Sequence, residues 1–393
     1  MFRYLILPVL AACQAAGQTP ADLLNEAKDA VAAHDYEKAA GQLHSAVDAA
    51  EEADVALDAL RRLAAVSRLL GHPDDAEKAL LRAAPIAAKL HGDTSLELAS
   101  VLSDLSGPQR ALGKKKEALL SLESALRMRE LHPAELLAEY ASDLLRTSAI
   151  RIDMGETGAA KDLLTRALAA CEKALPPESA QCMTVLDALA GVLRDRSEYS
   201  EAEPLYVRLL RLREAAFGAD SAELISTLDS LSYVYFGLKR YADAQPVYER
   251  LLALWEASAG AGHPMIALTL DKMAEFFAAQ DRYAEAEPLV ARAAAMRTQG
   301  LIDSLKRSGR IQAAASNLEE AAELYRRALL LADESKMADA VVDPILRAYA
   351  GVLRGLERGT EAEAVEQRIA GILARRVERE GRREAPVPTE KQR

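Results

Sequence analysis

Leu186, Leu189, Ala190 and Leu193 are apolar at i, i+3, i+4 and i+7, and Asp187 falls off that line. That spacing lays one apolar stripe along a helix. The polar stretch 194–200 follows, and then a second stripe: Ala202, Leu205, Tyr206, Leu209, Leu210 and Leu212. The pattern therefore predicts two helices, A and B, joined by a short turn. The pair recurs. Tyr199-Ser-Glu-Ala-Glu-Pro-Leu-Tyr206 returns as Tyr241-Ala-Asp-Ala-Gln-Pro-Val-Tyr248 and as Tyr283-Ala-Glu-Ala-Glu-Pro-Leu-Val290, forty-two residues apart each time. A fixed period of this length means one supersecondary unit stacked on itself, each copy burying the apolar face its neighbour leaves open.

Ala202, Ala244 and Ala286 let the helices approach closely, while Tyr206 and Tyr248 fill the wider space between repeats. Pro204, Pro246 and Pro288 are expected in the first turn of helix B, where a missing N–H costs no intrahelical bond. These residues, the paired helices and the Gly260-Ala-Gly-His-Pro264 linker resemble the tetratricopeptide repeat, in its forty-two-residue kinesin-light-chain variety. The eight residues beyond the usual thirty-four correspond to roughly two helical turns, about one for each helix. The resemblance implies an all-α, right-handed superhelical solenoid whose helices A line a concave, partner-binding groove.

Carrying the Ala202 position along the chain gives Ala160, Ala118 and Ala76 at intervals of forty-two, and Ala39 after thirty-seven; forward it gives Ala321 after thirty-five and Ala362 after forty-one. About nine repeats fit over 18–376. Gly92, Gly218 and Gly260 share one register position, consistent with left-handed helix C-caps. Repeat three carries Gly107-Pro108 inside its expected helix A, which predicts a kink or early stop. Repeat eight is compressed, with its helix A expected over 301–315. Repeat nine reads as a cap, and the polar segment 377–393 as a disordered tail.

The first twelve residues are a short basic start and an apolar run too short to span a bilayer, interrupted by Pro8. They read as part of a signal peptide over 1–17, cleaved before Gln18, in preference to a buried first helix. Leu10-Ala-Ala-Cys13 alternatively resembles a bacterial lipobox, with Cys13 lipidated, although that signal would be unusually short. Export to the periplasm, outer membrane or medium is expected.

The chain has 393 residues, half of them hydrophobic, and a formal net charge of −11. So long a chain exceeds one compact core, which a solenoid resolves. The acidic balance argues against nucleic acid and against electrostatic attachment to anionic membranes. No phosphate loop, His-Glu-x-x-His pair, Gly-x-Ser-x-Gly elbow or Cys-x-x-Cys motif is present, and the six histidines have no ligand spacing. Neither catalysis nor a metal or cofactor is expected.

Two ladders carry charge. Arg82, Arg166, Arg208, Arg250, Arg292, Arg327 and Arg368 each follow a register alanine by six residues and read as a solvated or locally paired face of helix B. Asp187, Asp229 and Asp271 lie on helix A, where the resembled family often carries an Asn that holds a peptide backbone. Asp there suits a basic partner segment, against the plainer reading of solvated surface. Tyr233 and Phe236 fall off the Leu228–Leu231–Tyr235 stripe and are the candidate aromatic anchors. Cys171 and Cys182 flank Pro176-Pro177, so the turn between repeats can bring them together as a disulfide in an exported chain; two buried thiols are the alternative. The expectation is a non-catalytic protein-binding scaffold. Its rivals are a lipoprotein assembly factor of the envelope, a regulatory subunit of an enzyme encoded elsewhere, and a small-ligand sensor.

Overall fold

The stripe Leu186–Leu189–Ala190–Leu193 is buried on a helix that spans Ala180–Asp195, and each of the nine register alanines is buried in turn. The computed structural model describes residues 18–132, 137–260 and 262–384, with side chains described as far as Glu378. Residues 1–17, where a signal peptide and a lipidated Cys13 are expected, lie outside the described residues. Among those described there is no strand.

The helices in chain order are α1 (Pro20–Ala32), α2 (Tyr36–Ala49), α3 (Ala53–Leu69), α4 (Pro73–His91), α5 (Leu96–Ala111) and α6 (Lys115–Glu130). Next come α7 (Leu137–Asp153), α8 (Thr157–Ala174), α9 (Ala180–Asp195), α10 (Tyr199–Phe217), α11 (Ile225–Gly237) and α12 (Tyr241–Ala259), with a single 3-10 turn at Ala222–Leu224 leading into α11. The last are α13 (Pro264–Ala278), α14 (Tyr283–Ala314), α15 (Leu318–Glu334), α16 (Asp339–Gly355) and α17 (Gly359–Glu384). Two units can be distinguished: one runs to Ala219 and takes in Tyr233–Leu238, and the other holds Asp220–Ser232 and everything from Lys239. Each is built from consecutive helix A–helix B pairs.

The turn between A and B has one geometry throughout. Five residues before each register alanine stands a residue with positive φ: His34, Gly71, Gly113, Gly155, Ser197, Lys239, Asp281, Ser316 and Glu357. Only three of these are glycine, so most copies hold an L side chain in a conformation that costs on the order of 1 kcal/mol. Packing holds it there. Immediately after the turn the alanine N–H donates back across four residues, as Ala202 does to the Glu198 carbonyl at 3.1 Å, which starts helix B. Tyr206 and Tyr248 are buried, as their place in the repeat predicts.

Several details differ from the expectation. Helix B begins at Tyr199, Tyr241 and Tyr283, so Pro204, Pro246 and Pro288 sit inside the helix and not in its first turn. Ser200, Ala242 and Ala284, whose carbonyls lose a donor, are exposed, so water can take up the bond. Pro108 does not stop α5, which runs on to Ala111; it lies in the last turn and is buried. Gly92, Gly218 and Gly260 do have positive φ, but their ψ values of 157°, 159° and 158° lie outside the left-handed helical well. That region is essentially glycine-only. The polar segment from Val377 is helical to Glu384, because Glu and Arg are good helix formers even with nothing to bury; residues 385–393 lie outside the described set.

The largest difference is at repeat eight. No turn separates helix B of repeat seven from helix A of repeat eight, and α14 carries both as one helix of 32 residues. Among the described residues nine pairs are thus made from seventeen helices. The segment Met296-Arg-Thr-Gln-Gly-Leu-Ile302 has no proline and no residue with positive φ, so nothing in it ends a helix. Two apolar clusters form on the two halves of α14. Ala293, Leu289 and Met296 pack with Ile266 and Leu270, whereas Ile302 and Leu305 pack with Tyr325, Ile345 and Tyr349.

Candidate partner-binding faces

Each helix A is buried on most of its circumference and reaches solvent along one line. On α9 that line runs through Thr184, exposed, and Asp187, half-buried; on α11 through Ser226, Asp229 and Tyr233; on α13 through Leu268, Asp271 and Glu275. The three aspartates therefore lie on the accessible edge that the repeat spacing predicts. They do not stand as bare carboxylates. Arg213 donates to Asp187 at 2.8 Å, Lys272 to Asp229 at 2.5 Å, and Arg297 pairs with Asp271. A row of bare like carboxylates would repel itself, and these cations offset that repulsion. Each pair is partly exposed and so adds little to stability. Arg213 and Arg297 occupy the same repeat position two periods apart, a signal present in the sequence and missed.

Of the two candidate anchors Tyr233 is the accessible one, 50% exposed, while Phe236 is half-buried. The Tyr233 ring meets Tyr199 edge to face, with centroids 6.0 Å apart. Their hydrogen bond pushes the Tyr233 phenol above its usual range. Tyr199 also explains Gly237, since a Cβ at that glycine would fall 2.5 Å from the Tyr199 ring.

The arginine ladder ties helices together. Arg166 pairs with Glu130, Arg208 with Glu172, Arg292 with Glu256 and Arg368 with Asp333, in each case a carboxylate near the end of the preceding helix B. This is the locally paired reading, and the row offers no open anion site at these four positions.

Cys171, near the end of α8, and Cys182, in the first turn of α9, form a disulfide with Cα atoms 5.7 Å apart. Both are buried, among Ala141 and Ala170. Ser179 caps α9 by accepting the Cys182 N–H at 3.2 Å, which sets the approach of the second thiol. Among the described residues no group of three or more His, Cys, Asp or Glu could hold a metal ion, and no helix is long and apolar enough to cross a membrane.

A face the sequence reading did not find lies between α13 and α14. Asp271, Ala274, Glu275 and Ala278 line one wall at helical spacing; Tyr283, Ala286, Glu287, Val290 and Ala291 line the other, around a groove of about 720 Å³. Tyr283 and Val290 are 63% and 52% exposed. Ala286 is the least buried of the nine register alanines, at 7%. The irregular interval to Ala321 was the clue, since it removes the residues that would have made a linker.

The sequence model of the tetratricopeptide repeat family matches residues 55–130, 181–257 and 223–299. No curated protein matches the chain. Among solved structures, a signal transduction ATPase with a tetratricopeptide repeat sensor from Pyrococcus horikoshii superposes with a TM-score of 0.56 at 14% identity, over 76% of this chain and 46% of that one, which speaks to fold alone. Nearly identical tetratricopeptide-like repeats from Podosopora anserina, assigned to a kinesin light chain, give 0.47 at 17% identity over 54% of this chain and all of theirs. A tetratricopeptide repeat protein from Parabacteroides merdae gives 0.45 at 15% identity, over 84% and 98%. The family match over the middle repeats, with one turn geometry in all nine, makes this chain a tetratricopeptide repeat protein.

Proposed function

We propose that this protein is a non-catalytic scaffold that holds a segment of a protein partner along the accessible edges of its helices A. The observation that carries this reading is the edge of each middle helix A, which keeps one line of side chains in contact with solvent, with Asp187 and Tyr233 on such lines in one unit and Asp229 and Asp271 in the other. Tyr233 supplies the large, partly exposed ring that commonly dominates binding energy. A basic segment fits the acidic chain, and it would engage the aspartates by exchanging with Arg213, Lys272 or Arg297. Export of the protein is supported by the basic-apolar start of the chain and by the bonded Cys171–Cys182 pair, since disulfides persist in oxidising compartments.

A photo-reactive residue placed at Tyr233 tests the reading, with a second at exposed Leu330 on a helix B as the control. In the native source, Tyr233 is expected to cross-link one protein reproducibly and Leu330 is not. Equal labelling from both positions, or none from Tyr233, would contradict it.

A further inference from the structure

The chain contains its own template for what belongs in the α13–α14 groove. Repeat six has the same groove one period earlier, walled by Asp229, Tyr241, Gln245 and Tyr248, and there α13 fills it. Phe276 sits on Tyr241 and Tyr248, with ring centroids 5.8 and 5.4 Å apart. Lys272 reaches Asp229, and Arg282 donates to the Gln245 side chain at 3.2 Å. Adding forty-two to the wall residues gives Asp271, Tyr283, Glu287 and Val290, which are four of the residues lining the open groove. In a regular stack the helix A of repeat eight would lie over them. It cannot, because α14 carries that segment straight on from helix B of repeat seven.

We propose that this groove is a docking site for a single amphipathic helix of a partner protein, a helix that takes the place the missing helix A would hold. This goes beyond binding along the helix A edges and does not depend on it. The template fixes the chemistry of the occupant: an aromatic residue to cover Tyr283 and Val290, and a lysine one turn before it. An arginine follows six residues after the aromatic, past the end of the helix. Charge points the same way. Gln245 in repeat six becomes Glu287 in repeat seven, and Glu275 stands on the opposite wall; both carboxylates are exposed and neither is in an ion pair among the described residues. The rim thus matches a helix with a basic flank better than the template groove does. Val290 in place of Tyr248 widens the floor, so a ring larger than that of Phe fits. Asp271 has Arg297 as its cation, and the occupant's lysine shares or replaces that contact.

The probe is a fluorescent peptide with the sequence of residues 264–282, titrated against the full chain by anisotropy. Saturable binding is expected, and Val290→Asp in the protein or Phe276→Ser in the peptide should each weaken it by on the order of tenfold. Val290 is exposed, so the protein variant should keep its melting temperature and its Tyr233 cross-link. Weakening by Lys272→Glu in the peptide is the charge arm. No binding to the wild-type chain, or binding that survives Val290→Asp, would overturn the proposal. So would a dimer of the wild-type chain that Val290→Asp dissociates, because the groove would then belong to a second copy.

Discussion

Replacing Arg129 by Met is expected to cost about 3–5 kcal/mol of stability, read as a shift in urea midpoint. Arg129 on α6 and Asp143 on α7 form an ion pair at 2.7 Å whose side chains are only 3% and 2% exposed. The pair is part of a network across three consecutive helices. Ser103 on α5 donates its hydroxyl to Asp143, Arg129 donates to Ser100 at 3.4 Å, and Arg146 donates to the Ser103 carbonyl at 3.0 Å. Such a pair is held together more by the cost of breaking it than by its own attraction, because one partner left alone is a buried, uncompensated charge. One Arg129 nitrogen, Nη1, is itself buried without a hydrogen-bond partner. The double variant Arg129→Met/Asp143→Leu should therefore recover most of the loss. If the double were as unstable as the sum of both single variants, the network would be a net contributor and this account of it wrong.

The same pair predicts a pH dependence. Burial raises the Asp143 carboxyl above its usual range, although Ser103 and Arg129 pull it down. A raised folded-state value contributes stability that is complete below the unfolded value and is lost as pH rises through the folded one. Removing Arg129 takes away a pull on the carboxyl and raises it further. The deficit of Arg129→Met should then be larger near neutral pH than at about pH 5.

Cys171→Ser with Cys182→Ser is expected to lower stability by about 3 kcal/mol, since the bond closes a loop with a sequence separation of 11 and restricts the unfolded chain. The bond joins helix B of repeat four to helix A of repeat five, so its loss should appear as earlier opening at that junction in hydrogen exchange. The mass of the protein isolated from its native source without reductant tests bond and export together. An intact pair leaves the chain two hydrogens lighter, and export leaves it starting at Gln18 or at a lipidated Cys13. Free thiols on a chain that retains Met1 would count against both.

The sequence was most legible where the repeat was regular. The register alanines, the A and B stripes and the placing of Asp187, Asp229 and Asp271 on an accessible edge all follow from a period of forty-two, because equal spacing puts equal residues in equal surroundings. The cations facing those aspartates were hidden by unequal origin: Arg213 and Arg297 come from helix B, while Lys272 comes from the next helix A. Pairing of that kind depends on side-chain reach, which a period does not encode. The open groove was hidden for a different reason. A helix B running into a helix A has the same apolar spacing as two helices joined by a linker, and the lone Gly300 without a proline at 296–302 is too weak a break to distinguish them.

The continuity of α14 underlies the open groove, and a distance measures it directly. Spin labels at Tyr283 and Ile311, both on the exposed side of α14, are separated by twenty-eight residues. An unbroken helix rises about 1.5 Å per residue, which puts the two backbone sites about 42 Å apart. A distribution centred near that value is the predicted result. One centred below about 20 Å would mean that the chain turns back near Gly300 as a hairpin, with a helix A lying over Tyr283 and Val290 after all.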